Sequence, residues 1–248
     1  MTKDTRAQLA QLTKQVEAAL GSNLVTLAAY GPAIRHDTRE GERLVTTLLI
    51  VRDASPRALR AVEASILEWT RKGYPPPLVF AEEEWRRSTD VFPMEIEDMR
   101  EAHDILLGAD PFSGLATTLA DLRRELEREI RGKLLRLRTE FVAAAASGKA
   151  LEDLLLDSAG TFFVIFRAVL RLTGHTPPQT PRALIQETAT VADLDVKAFE
   201  WVIDKLVGHN VPSLKAHDPV GDRYVEQIEQ LARFVDRYES PSAAQAPK

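Results

Sequence analysis

The sequence predicts an α+β protein, with a small mixed β-sheet domain followed by an all-α helical bundle domain. Short apolar runs bounded by turn residues occur before residue 112. Beyond that point, apolar residues recur every three or four positions, which is the period of an amphipathic helix. The chain has 248 residues, of which 44% are hydrophobic, enough for two domains of ordinary size.

Strands and helices alternate in the first domain, predicted over residues 1–112. Three short apolar runs predict strands, at residues 23–30, 44–51 and 78–81. A stripe that includes Leu9, Leu12 and Val16 predicts a helix over residues 5–20. Ser55 can cap a further helix, which Pro56 would begin. Residues 92–112 are predicted to form a helix and then a short apolar piece that ends at Gly108.

The second domain, predicted over residues 113–239, contains helices alone. They are expected at residues 115–146, 151–172, 180–190, 195–208 and 220–238. The helix at 151–172 is apolar nearly all round, which predicts a place at the centre of the bundle. Residues 240–248 are predicted to be a disordered tail.

The composition excludes several classes of site and partner. The net charge of −5 gives no overall attraction to nucleic acid or to an anionic membrane, so neither is an expected partner. The chain has no cysteine, which excludes disulfides and thiolate sites. Neither a signal peptide nor a run long enough to span a bilayer is apparent, so a cytoplasmic location is expected.

One helix of the second domain is rich in basic residues. They are Arg123, Arg124, Arg128, Arg131, Lys133, Arg136 and Arg138. Acidic residues are interleaved with them, so a solvated face with Glu127–Arg131 and Glu129–Lys133 pairs is favoured over an anion-binding cleft.

The segment LAAYGPAIRHDTREGERLVTTLLIV, residues 27–51, resembles the signature of the nucleotidyltransferase superfamily that includes the antibiotic nucleotidyltransferases. The family signature has a strand ending in Gly-Ser, a second strand carrying Asp-x-Asp, and a third carboxylate on a later strand. The carboxylates hold two Mg²⁺ ions for transfer of a nucleotidyl group. The Gly-Ser turn lets backbone amides approach the phosphates.

The resemblance implies that this chain has lost the metal ligands. Its glycine corresponds to Gly31, and Pro32 takes the place of the serine. The two aspartate positions fall on Val45 and Thr47, and the third strand, residues 78–81, carries no acid. We therefore expect no catalytic residue, no metal and no cofactor. Gly31, Pro32 and Thr47 are expected to line a vestigial ligand-binding cleft.

Two acidic segments nearby leave an alternative open. Glu40 and Glu42 form an acid–x–acid pair after Gly31, although they surround a glycine in a polar turn. Glu82, Glu83 and Glu84 follow the third strand, where a solvated helix start is the expected structure.

The helical half resembles the appended domain of such proteins, related to HEPN-type bundles, on the segments ELEREIRGKLLRLR and FFVIFRAVLRL. HEPN ribonucleases carry an Arg and a His separated by four to six residues. Arg171 is too close to His175, and Arg167 is too far from it, so ribonuclease activity is not expected.

These observations favour a degenerate nucleotidyltransferase-like protein that binds or scaffolds, with a nucleotide or another small anion as its ligand. One alternative is an active transferase that uses Glu40 and Glu42. Another is a subunit of a homodimer or of a toxin–antitoxin-like pair, with residues 151–172 and the final helix at the interface.

Overall fold

A computed structural model describes residues 1–35 and 45–238, apart from the side chains of Pro32 and Arg35. The chain divides into two compact units, Met1–Thr117 and Thr118–Lys248. The described part of the first unit holds a four-stranded mixed sheet with helices, and that of the second holds helices alone. The predicted α+β class is confirmed.

Besides three short 3-10 helices, the described part of the first unit contains ten α-helices and β-strands. They are α1 (Lys3–Leu20), β1 (Leu24–Tyr30), α2 (Pro32–Arg35), β2 (Thr46–Val51), α3 (Pro56–Leu59), α4 (Glu63–Arg71), β3 (Leu78–Ala81), α5 (Glu82–Arg86), α6 (Pro93–Glu101) and β4 (His103–Gly108). Ser55 caps α3 as its sequence predicts, since its hydroxyl accepts a hydrogen bond from the backbone N–H of Ala58 at 3.3 Å.

The strand order in the sheet is β3-β2-β1-β4. Strand β1 pairs antiparallel with both β2 and β4, whereas β3 runs parallel to β2. Successive strand residues point to opposite sides of the sheet, and each side packs in its own core cluster. Val45, Leu49 and Val51 pack in a core cluster with α1, and Leu48 and Ile50 pack in a second cluster with α5 and α6.

Strand β4 is absent from the sequence prediction, which assigns only a short apolar piece to these residues. Its pairing with β1 runs from Tyr30 opposite His103 to Thr26 opposite Gly108. The segment is short and has one β-branched residue, Ile105, so its own sequence favours a strand only weakly. Pairing with the distant strand β1 determines its structure.

The described part of the second unit contains five helices. They are α7 (Leu119–Ala144), α8 (Gly148–Leu172), α9 (Pro181–Ala192), α10 (Lys197–Leu206) and α11 (Pro219–Arg237). Helix α8 is the most extensively buried of them, and it packs against α7, α9, α10 and α11. Its residues Ala168, Val169 and Leu170 have no exposed surface. In the part of the chain described, no helix is long and apolar enough to cross a bilayer.

Candidate functional site

The turn after β1 is the start of the candidate site. Gly31 has a φ of 98°, in the left-handed region that a residue with a Cβ rarely adopts, and α2 begins at the next residue. The carbonyl of Gly31 accepts a hydrogen bond from the N–H of Ile34 at 3.0 Å. Because Pro32 has no N–H, its backbone position cannot donate to a phosphate.

Thr47 lies at the same end of the sheet as Gly31. It is paired with Ala29 on β1, and Tyr30, the residue before Gly31, is paired with Thr46. Val45 and Thr47 face one side of the sheet, and both are 0% exposed. The Thr47 hydroxyl has no hydrogen-bond partner among the described residues. Val45 and Thr47, the two positions at which the sequence resemblance predicts the lost aspartates, are therefore closed to solvent.

The glutamates after β3 all take part in local structure. Glu82 and Glu83 form ion pairs with Arg86 and Arg87, at 2.8 Å and 2.6 Å. Glu84 accepts a hydrogen bond from the backbone N–H of Ala81 at 3.0 Å, which satisfies a donor at the start of α5. This is the helix start that the sequence predicts.

Metal-ligating side chains do not converge in the described part of the chain. Among residues 1–35 and 45–238, no group of three His, Asp or Glu side chains is placed to hold a metal ion. Glu40 and Glu42, the alternative acids, lie outside the described residues.

Tyr30 and His103 are paired on the other face of the sheet. Burial, together with the negative charge of Glu95, raises the pKa of Tyr30 to about 12. His103 Nδ1 lies 3.1 Å from the carbonyl oxygen of Met99, which can only accept, so a hydrogen bond here is donated by Nδ1–H. Its Nε2 is 3.8 Å from a carboxylate oxygen of Asp110. The sequence contains His103, but only the pairing of β4 with β1 brings it beside Tyr30.

The basic residues of α7 are all engaged with carboxylates. Lys133 lies 3.9 Å from Glu129, as predicted, and Arg123 pairs with Glu127 at 3.0 Å. The predicted Glu127–Arg131 pair is wrong, because Arg131 reaches Asp236 on α11 at 2.9 Å. The remaining pairs are Arg124–Asp121, Arg128–Glu125, Arg128–Glu129, Arg136–Glu140 and Arg138–Glu229. Each basic side chain of this face therefore lies close to at least one carboxylate.

Buried charges in the helical unit are a feature that the sequence does not predict. Glu125, Glu152 and Arg167 are each less than 8% exposed. Glu152 accepts a hydrogen bond from the backbone N–H of Leu214 at 2.7 Å. Its burial therefore serves the loop before α11. His175 is exposed, and its Nδ1 lies 3.0 Å from the Thr173 hydroxyl.

A solved structure is similar to this chain over almost its whole length. It is the crystal structure of spectinomycin adenyltransferase AAD(9) from Enterococcus faecialis with ATP and spectinomycin. The TM-score is 0.59 and the identity 11%, over 94% of this chain and 99% of that one. The chain has a nucleotidyltransferase-like fold. At this identity the likeness shows the fold alone; no protein-family model and no curated protein matches the chain.

Proposed function

We propose that this protein is a catalytically degenerate member of the nucleotidyltransferase-like fold. It binds a ligand or scaffolds a partner and does not carry out metal-dependent nucleotidyl transfer. The ligand near Gly31 is a nucleotide or another small anion, held without a metal. The proposal also places the protein in the cytoplasm.

The state of Val45 and Thr47 is the observation that carries this proposal. A valine side chain cannot bind Mg²⁺, and a single buried hydroxyl is a poor substitute for a carboxylate. Both side chains are closed to solvent and face the apolar cluster beneath α1. If a metal site had become part of the core, side chains that pack well would stand in place of both carboxylates. Val45 and Thr47 fit this expectation.

The engagement of Glu82, Glu83 and Glu84 supports the same proposal. These are the acids nearest in sequence to the third strand, and each has a structural partner on or beside α5. These local contacts explain all three glutamates without any role in binding a metal. An ordinary helix start accounts for all three.

Calorimetric titration of the purified protein with ATP and with GTP, each with and without Mg²⁺, tests the proposal. We expect either no binding or weak binding that Mg²⁺ does not change. Tight binding that requires Mg²⁺ would overturn the proposal and favour the active transferase. In that case the double variant Glu40→Gln, Glu42→Gln should abolish binding. The matched control, Glu17→Gln with Glu63→Gln, removes two exposed acids of α1 and α4 and should not.

The homodimer alternative requires an interface other than α8. The apolar residues of α8 are covered by helices of the same unit, so they are not free to form an interface. Leu135 and Val142, on the exposed side of α7, are 67% and 81% exposed. Sedimentation velocity distinguishes a monomer from a homodimer. A monomer at micromolar concentration counts against the homodimer, and a dimer that Leu135→Lys dissociates would support it.

A further inference from the structure

A pocket in the helical unit lies between the end of α9 and the last turns of α11. Its volume is about 490 Å³, within the range of sites that hold small molecules. Its lining includes Asp193, Gln230, Arg233, Phe234, Arg237 and Tyr238. We propose that this pocket binds an aromatic zwitterion, a small molecule with one aromatic ring, one carboxylate and one ammonium group.

The aromatic part of the ligand has a partner in two rings of α11. Phe234 and Tyr238 are one helical turn apart, with ring centroids separated by 5.8 Å and planes inclined at 35°. Both side chains are half-buried, so each has a ring surface that remains open to the pocket. A ligand ring placed against such a pair gains apolar burial and a favourable aromatic contact.

The carboxylate of the ligand has a partner in Arg237. This guanidinium forms no ion pair with any residue in the described part of the chain. Arg233, one turn earlier, is already paired with Glu229 at 2.8 Å. Within the described residues, the wall formed by α11 therefore presents one positive charge that no carboxylate compensates, and guanidinium groups match the geometry of a carboxylate well.

The ammonium group has a partner on the opposite wall. Asp193 ends α9 in the left-handed conformation, with φ of 54°, and its carboxylate forms no hydrogen bond or ion pair within residues 1–35 and 45–238. The carbonyl groups at the end of α9 add partial negative charge at the same place. A carboxylate with no partner in the described structure and a helix C-terminus together favour a cation.

Hydrogen bonds between the two walls hold the pocket open in a fixed form. The Gln230 side-chain amide donates to the backbone carbonyl of Asp193. The Gln227 side chain accepts a hydrogen bond from the backbone N–H of Asp195 at 2.8 Å. Because the walls are joined by the chain's own bonds, binding requires little rearrangement.

Calorimetry with the full chain and three probes tests this proposal. L-Phenylalanine carries all three groups, 3-phenylpropionate lacks the ammonium, and 2-phenylethylamine lacks the carboxylate. We expect the affinity for L-phenylalanine to be at least about fivefold higher than the affinity for either of the other two probes. Equal binding of all three, or no saturable binding of L-phenylalanine at millimolar concentration, would overturn the proposal.

Two variants identify the pocket, and neither should disturb the fold. Arg237→Gln removes the exposed guanidinium, and Asp193→Asn keeps a residue that tolerates the left-handed conformation. Each should weaken L-phenylalanine binding about fivefold or more, with an unchanged thermal midpoint. Arg223→Gln, at an exposed position near the start of the same helix, should leave the affinity for L-phenylalanine unchanged. Binding that is insensitive to both variants would show that the ligand binds elsewhere.

Discussion

Glu152 on α8 accepts a hydrogen bond from the backbone N–H of Leu214 at 2.7 Å, and this contact is buried. It joins the N-terminal part of α8 to a loop that lies 62 residues away in sequence. Lys205 Nζ lies 3.9 Å from the other carboxylate oxygen. The glutamate thus accepts a hydrogen bond from a buried backbone N–H and partly compensates the charge of Lys205.

Glu152→Ala should destabilise the helical unit by about 2–3 kcal/mol, because a buried N–H then has no acceptor and a cavity is left. Glu152→Gln keeps the accepting oxygen and should be destabilised less. Urea denaturation of both variants measures the difference. Equal losses would mean that the bond to Leu214 is not what the glutamate contributes.

Thr47→Val should stabilise the protein by about 1 kcal/mol, because it removes a buried hydroxyl that has no hydrogen-bond partner in the described structure. Thr26→Val is the matched control in the same sheet. Thr26 is equally buried, but its hydroxyl donates to the carbonyl of Ala109 at 2.9 Å. That control should destabilise by a similar amount. The free energy of unfolding of each variant, measured in urea, provides the comparison.

Gly108→Ala should destabilise the first unit by about 2–4 kcal/mol. Gly108 has φ of 88°, and a Cβ there would lie 2.0 Å from the carbonyl oxygen of Val25 on the paired strand. Gly132→Ala, within α7 and with open space around its Cα, should instead stabilise by about 0.5–1 kcal/mol. Thermal unfolding of the two variants tests the contrast, and a tolerated Gly108→Ala would contradict the β1–β4 register.

The ionisation of Tyr30 should make stability fall at alkaline pH. Burial raises the pKa of Tyr30 to about 12 in the folded state, whereas in the unfolded chain the pKa of a tyrosine has its ordinary value of 10.0. Below pH 10 both states keep the proton, and the contribution is fully present. Between pH 10 and pH 12 only the unfolded state loses it, so unfolding becomes more favourable by about 1 kcal/mol at pH 11.

Tyr30→Phe has no proton to lose, so it should lack this part of the decline. Urea denaturation of both proteins from pH 8 to pH 11 measures it. Parallel losses of stability in the wild type and the variant would show that burial of Tyr30 does not control its ionisation.

Much of the fold could be predicted from sequence because most elements carry their own pattern. Helices α7, α8 and α11 have long apolar stripes, and the cap at Ser55 is a local signal. Strand β4 could not be predicted in this way, since its pairing with β1 is a property of the folded sheet. The same holds for the burial of Glu152, which depends on a loop far away in sequence.

The candidate site divides in the same manner. The sequence alone suggests the resemblance of Gly31, Val45 and Thr47 to positions of a family signature, which stays a prediction, and it shows that these positions carry no acid. Sequence does not show that Val45 and Thr47 are fully buried, nor that the Thr47 hydroxyl has no partner in the described structure. It also gives no sign of the pocket beside α11, whose walls come from separate helices.

The position of β4 in the sheet bears on how the chain folds during synthesis. Strand β1 leaves the ribosome early, yet one of its two neighbours is the last strand of the unit to be made. Until β4 emerges, the nascent chain presents one side of β1 as an open edge, on which another nascent strand could pair. A pause in translation once β4 has cleared the ribosome would therefore allow the first unit to close its sheet before the helical unit is complete.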